Sequence, residues 1–300
     1  MQASTGRPGP GWVVVGVDGS PSARSAVVWA AQEAARRGSG LVLVHATDTD
    51  AYARTPSLPG ADADRRRRDG RQLLDETAAA VAARRPGLTL VTELDDGPPP
   101  DALRRAAGLG GTIVVGHRGL GGFPSLPLGS VGLEAAATAT TPVVVVRGAA
   151  ESAVSGSVLA AVRDADDLGC ARAAAREAAL REAHLRLLHI WREPPGARTA
   201  SRRGAERDAR DHVLPLSEVA DRVREEFPEL TVHADGEKSH SVPGALVDAS
   251  HHADLLVVGG RRSPGRLGST LGWTTLSLLQ YAHCAVELIP RPGPGHGSPS

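Results

Sequence analysis

Short apolar runs punctuate the chain and alternate with longer stretches in which apolar residues return every three or four positions. Residues 12–17, 41–44, 112–116 and 143–147 are nearly continuous runs of β-branched residues and leucine, the pattern of strands buried on both faces. Residues 88–94 alternate and read as one more strand. Between the first two runs, Ala26, Trp29, Ala30 and Glu33 fall at helical spacing over 22–37, with Ser20 or Ser22 as N-cap and Gly38 as the stop. Further helices are expected at about 64–83, 101–107 and 131–139. The order βαβαβαβαβ demands parallel strands joined by right-handed crossovers.

The pattern occurs twice. Leu41-Val42-Leu43-Val44-His45-Ala46 returns 144 residues on as Leu185-Arg186-Leu187-Leu188-His189-Ile190, and the run ending at Gly116 returns ending at Gly259, 143 residues on. A nearly constant offset over separate segments marks an internal duplication. The fold class expected is therefore α/β, two tandem doubly wound, Rossmann-like domains, each a five-stranded parallel sheet with helices on both faces. The divisions expected are a disordered start at 1–10, a first domain at 11–148 and a linker at 149–156. A second domain follows at 157–290, then a disordered tail rich in Pro, Gly and Ser at 291–300. Proline-containing insertions at 56–59 and 194–201 follow the second strand of each copy.

Composition narrows the chemistry. Lys+Arg 34 against Asp+Glu 34 leaves no net charge, so no basic field points to nucleic acid or an anionic membrane. The absence of a long apolar stretch or signal peptide, together with two cysteines in no metal-binding spacing, suggests a cytoplasmic protein. Lys238 is the only lysine of the 300 residues. A GxxxxGK[ST] phosphate loop is thereby excluded. Of the histidines, His45 and His189 read as strand-end residues at the rim of the core. His240, His251 and His252 lack a third ligand at metal spacing, so no metal site is expected.

Ligands of doubly wound sheets settle beyond the carboxyl ends of the strands, where the crossover direction switches. The first copy places Asp18-Gly19-Ser20 there, after its first strand, and the glycine-rich segment 116–130 after its fourth. Backbone without side chains can turn several N–H groups to one anion, and the helix opened by Gly129-Ser130 adds partial positive charge. Ser130 is expected to cap that helix and offer a hydroxyl to phosphate.

The spacing Gly116-x2-Gly119-x9-Gly129-Ser130 matches the G-x2-G-x9-G-[S/T] nucleotide signature of the universal stress protein family. VVVGVDGS at the first strand, the histidine closing the second and the final TPVVVVR also resemble that family. The likeness covers about residues 11–290 and looks like its tandem form, whose domains are of the adenine nucleotide alpha hydrolase-like kind. The resemblance implies ATP as ligand, with Mg²⁺ arriving on the phosphates and Asp18 its nearest carboxylate. It implies that Val17, Asp18, Gly19 and Ala46 surround adenosine, and that Gly116 and Gly119 lie against ribose and phosphates. Gly129, Ser130 and Val131 would then hold the phosphate tail, with His117 and Arg118 as further candidate contacts. Gly132 stands where the family often has a hydroxyl residue.

The second copy departs from the signature. Gly259-x2-Arg262-x9-Gly272-Trp273 keeps the spacing but replaces a glycine and the hydroxyl residue. Its counterpart of Asp18 is Val162 without a gap and Arg163 with a one-residue gap. Nucleotide is therefore expected in the first domain only. No residue offers itself as a general base. The leading reading is a non-catalytic, nucleotide-responsive module of the stress or growth-arrest response, with at most slow ATP hydrolysis. The rival is an interaction protein of the same fold that holds no nucleotide. In single-domain relatives the edge strand makes the dimer, so an intramolecular pseudo-dimer through 143–146 and 286–289 is expected, and further homodimerisation stays open.

Overall fold

A computed structural model describes residues 11–48, 60–120, 128–138, 140–147, 154–192, 202–260 and 271–290. The expected terminal tails, both loop insertions and most of the linker lie outside these residues, as does Arg262. The chain divides into two compact units, Met1–Glu151 and Ser152–Ser300.

In the first unit the order is β1 (Val13–Gly16), α1 (Pro21–Arg36), β2 (Leu41–Ala46), α2 (Gly60–Arg84), β3 (Leu90–Asp95), α3 (Pro99–Ala107), β4 (Thr112–Gly116), α4 (Ser130–Thr138) and β5 (Val143–Val146). The strands are parallel in the order β3-β2-β1-β4-β5. Val13, Val14 and Val15 are wholly buried, as are Val143, Val144 and Val145. Each such side chain contributes roughly 1.5–3 kcal/mol by leaving water. Right-handed crossovers put α1 and α2 on one face of the sheet and α3 and α4 on the other. The direction of winding switches between β1 and β4, whose carboxyl ends therefore flank a crevice.

Helix α1 shows how local chemistry fixes its ends. Ser20 is the N-cap, its Oγ accepting from Ala23 N at 3.0 Å, which settles the choice between Ser20 and Ser22. At the far end Ser39 N donates to Ala34 O and Gly38 N to Ala35 O, with Gly38 at φ +59°, the paired bonds of a Schellman stop.

The second unit repeats the plan with β6 (Ser157–Ala161), α5 (Leu168–Leu180), β7 (His184–Arg192), α6 (Arg202–Glu226), β8 (Val232–Ser239), α7 (Val242–Ala249), β9 (Leu255–Gly259), α8 (Trp273–Tyr281) and β10 (Ala285–Ile289). Its parallel strands run in the order β8-β7-β6-β9-β10. A short 3₁₀ turn, Ala165–Asp167, precedes α5. Cys170 and Cys284 are both buried, and burial pushes the Cys284 thiol up to about 12. Among the described residues no helix is long and apolar enough to cross a membrane.

Candidate functional site

At the switch point of the first unit lies a cavity of about 490 Å³. Its deep walls are apolar: Val44 from β2, Val115 from β4, Ala23 from α1, Leu103 from α3 and Leu128. Its mouth is formed by Asp18, Arg118, Gly119, Leu120, Gly129, Ser130, Val131 and Gly132. Val17, Ala46 and Gly116 line it too, so nine of the eleven residues singled out from the sequence meet here. Gly19 instead lines a neighbouring cavity between α1 and α2. His117 turns its ring away, towards Ser22 of α1.

The mouth is held by specific hydrogen bonds. Asp18 Oδ1 accepts from Ser20 N at 2.9 Å and Oδ2 from Leu120 N at 3.3 Å, so one carboxylate ties the end of β1 to the glycine loop. Ser22 Oγ accepts from Arg118 N at 3.2 Å and lies 3.0 Å from His117 Nδ1. Gly129 N donates to His117 O at 2.8 Å, closing the two ends of the loop on each other. Beneath them His45 Nδ1 donates to Val17 O at 2.6 Å, which fixes the strand-end histidine. Burial holds the His117 imidazole below its ordinary pKa, and the Arg147 and Arg118 cations add to the shift.

These bonds occupy several backbone donors of the glycine loop. The amides of Arg118, Leu120 and Gly129 are spent inside the protein. The first intrahelical bond of α4 runs from Leu133 N to Gly129 O, which makes Gly129 the N-cap. Ser130 is thus the first helical residue, a correction to its expected place as the cap. The amides of Ser130, Val131 and Gly132 precede the helical ladder, and all three residues line the cavity. The position of Gly132 also has a steric reason: a Cβ there would come 3.2 Å from Leu128 Cδ1. Among the described residues Asp18 is the sole carboxylate lining the cavity, and no group of three His, Cys, Asp or Glu is placed to hold a metal ion.

The second unit places other chemistry on the same frame. Val162 N donates to Leu188 O and His189 Nδ1 to Val162 O, as Val17 does to Val44 and His45 to Val17. Val162 therefore matches Val17, and Arg163 stands where Asp18 does. Arg163 donates its backbone N–H and its Nε to Asp167 Oδ2 and its Nη2 to Oδ1, each at 2.9 Å. Asp167 is wholly buried and sits beneath Gly259, as Ser22 sits beneath Gly116. Ile190 takes the place of Ala46. Trp273, 77% exposed, opens α8 after the cap Gly272, as Ser130 opens α4.

Sequence reasoning missed two contributors in the first unit: Ser22 as the hydroxyl under the loop, and the apolar wall of Leu103 and Leu128. No spacing announces either. Only the topology brings the first turn of α1 against the exit of β4.

Fold and crevice together define a tandem doubly wound α/β protein with a glycine-lined cavity at its first switch point. The sequence model of the universal stress protein family matches residues 12–147 and again 156–290, and the chain belongs to that family. A universal stress protein of Mycobacterium tuberculosis strain H37Rv is 30% identical over 292 residues, covering 95% of this chain and 98% of its own. One of Mycolicibacterium smegmatis is 36% identical over 137 residues, 45% of each chain. Among solved structures, a universal stress protein from Archaeoglobus fulgidus matches with a TM-score of 0.68 at 16% identity, over 94% of this chain and 98% of that one.

Proposed function

We propose that the first unit binds an adenine nucleotide, ATP in particular. The base and ribose would enter the apolar cavity beside Val17, Asp18 and Ala46, and the phosphates would meet the start of α4 with Arg118 alongside. The observation that carries this reading is the cavity of about 490 Å³ lined by Ser130, Val131 and Gly132, the first three residues of α4. In a chain with a single lysine, the backbone donors of such a helix start offer a polyphosphate hydrogen bonds that no ammonium group supplies. Mg²⁺ would travel with the phosphates, within reach of Asp18. The protein would act as a non-catalytic cytoplasmic module whose occupancy alters its shape or partners during stress or growth arrest. In the second unit the Arg163–Asp167 pair, Ile190 and Trp273 occupy the corresponding positions, and we infer no nucleotide there.

One observation favours the rival, an interaction protein without nucleotide: the amides of Arg118, Leu120 and Gly129 are already bonded within the protein. Calorimetric titration of the full chain with ATP, ADP, AMP and cyclic nucleotides separates the two. One equivalent of adenine nucleotide per chain, with heat lost in Asp18→Ala and Gly119→Val, supports the first reading. Two equivalents would overturn the asymmetry. No heat at millimolar ATP would leave the rival standing.

A further inference from the structure

We propose that Ser22 is the positioning residue of this nucleotide site, its hydroxyl setting the path of the chain between β4 and α4. The inference rests on the nucleotide reading above and concerns its phosphate end.

Ser22 is the second residue of α1 and nine-tenths buried. Its side chain reaches the space that Gly116 leaves: a Cβ on Gly116 would lie 2.4 Å from Ser22 Oγ and 2.7 Å from its backbone carbon and oxygen. From there the hydroxyl does two things. It accepts the N–H of Arg118, and lies 3.0 Å from His117 Nδ1. Because the oxygen already accepts from Arg118, its own proton is available to His117 Nδ1, which suits a neutral imidazole protonated at Nε2. The carbonyl of the same His117 accepts from Gly129 N, the N-cap of α4. One hydroxyl is thus two bonds away from the helix start that would hold phosphate.

The second unit supplies the contrast. At the matching position Asp167 gives both oxygens to Arg163, the neighbour that replaces Asp18. A carboxylate paired with arginine beneath Gly259 has no hydroxyl proton to give, and Gly260 follows, so no counterpart of the His117 imidazole stands there. The serine-to-aspartate difference is thus one of the changes, with Arg163, Ile190 and Trp273, that set the two mouths apart on one backbone plan.

The test compares ATP with adenosine on the full chain, because Ser22 supports the phosphate end and leaves the apolar cavity untouched. Ser22→Ala should weaken ATP about tenfold, the scale of one hydrogen bond to a preorganised loop, while adenosine binds within about twofold of the unaltered chain. Ser22→Thr, which keeps the hydroxyl, should restore ATP binding. Equal losses for ATP and adenosine, or no loss for either, would overturn the positioning role and leave the nucleotide site standing. If the unaltered chain binds neither ligand, the nucleotide reading falls and this one with it. Hydrogen exchange at the Arg118 amide of the unaltered chain gives a check that needs no variant: protection is expected, and exchange at the rate of an open loop would refute the clasp.

Discussion

The carboxylate of Asp18 fills the space that a side chain on Gly119 would need, with Oδ2 2.7 Å from where its Cβ would lie. The obstacle is the end of a side chain that can swing. Gly119→Ala should therefore fold, displacing Asp18 from Leu120 N and weakening ATP by about tenfold. Gly116→Ala meets the backbone of Ser22 instead, which cannot swing away, and should cost about 1–3 kcal/mol of stability. Denaturant unfolding and calorimetry on both variants check the contrast. Equal destabilisation by the two would refute it.

Stability should depend on pH through His117. Its imidazole is held below the ordinary value of 6.5, chiefly by burial and then by Arg147 and Arg118. A group with a depressed folded pKa binds its proton in the unfolded chain first, so the folded state loses stability as pH falls from about 6.5 towards the folded value. The melting temperature of the unaltered chain should drop more steeply from pH 7 to pH 5.5 than that of His117→Asn. Parallel curves would show that His117 titrates alike in both states.

Each unit also carries a buried ion pair at the end of its first helix. Glu33, with no exposed side chain, meets Arg37 at 2.8 Å, and Arg37 continues to Thr112 Oγ1 at 2.7 Å. Glu177 and Arg181, each 7% exposed, repeat the pair 144 residues on. Removing one partner strands a charge away from water. Glu33→Ala should cost about 3 kcal/mol, the lower end for such sites because Arg37 keeps Thr112. In a unit of this size that is a fall of roughly 6–12 °C, measurable by scanning calorimetry. A shift below about 2 °C would mean that Arg37 finds water on its own.

The order of elements was legible because fully buried parallel strands need continuous apolar runs, such as the all-valine 13–15 and 143–146, whose β-branching and shortness favour strand over helix. The glycine loop was legible for a similar reason, since Gly116 faces the backbone of Ser22, which admits no side chain, and Gly119 faces the Asp18 carboxylate, which would have to swing aside. What escaped the sequence depends on hydrogen bonding across distant segments. Ser22 reads as one more helix-start serine until the switch point sets it under Arg118. Ser130 looks like a cap until Leu133 N is seen to bond Gly129 O. The partner of Asp18 in the second copy stayed ambiguous because that copy has one residue fewer between strand end and histidine, and only the bond of Val162 to Leu188 assigns Arg163 to it.

The duplication also exposes a strained position that the first copy solved differently. Glu182 sits at φ +52° in the turn after α5, where Glu182 N donates to Ala179 O and Ala183 N to Ala178 O. These bonds are those that Gly38 and Ser39 make after α1, with Gly38 at φ +59°. A left-handed conformation costs a residue with a Cβ roughly 1–2 kcal/mol, whereas glycine adopts it freely at some loss of unfolded-state rigidity. Glu182→Gly should therefore stabilise the second unit by about 0.5–1 kcal/mol, the remainder after the extra freedom of glycine in the unfolded chain is offset. The reverse change, Gly38→Glu, should destabilise the first unit by a comparable amount. Urea unfolding of the two single variants tests the pair together. If Glu182→Gly lowers the midpoint, the glutamate side chain must be stabilising that turn by more than its backbone strain costs.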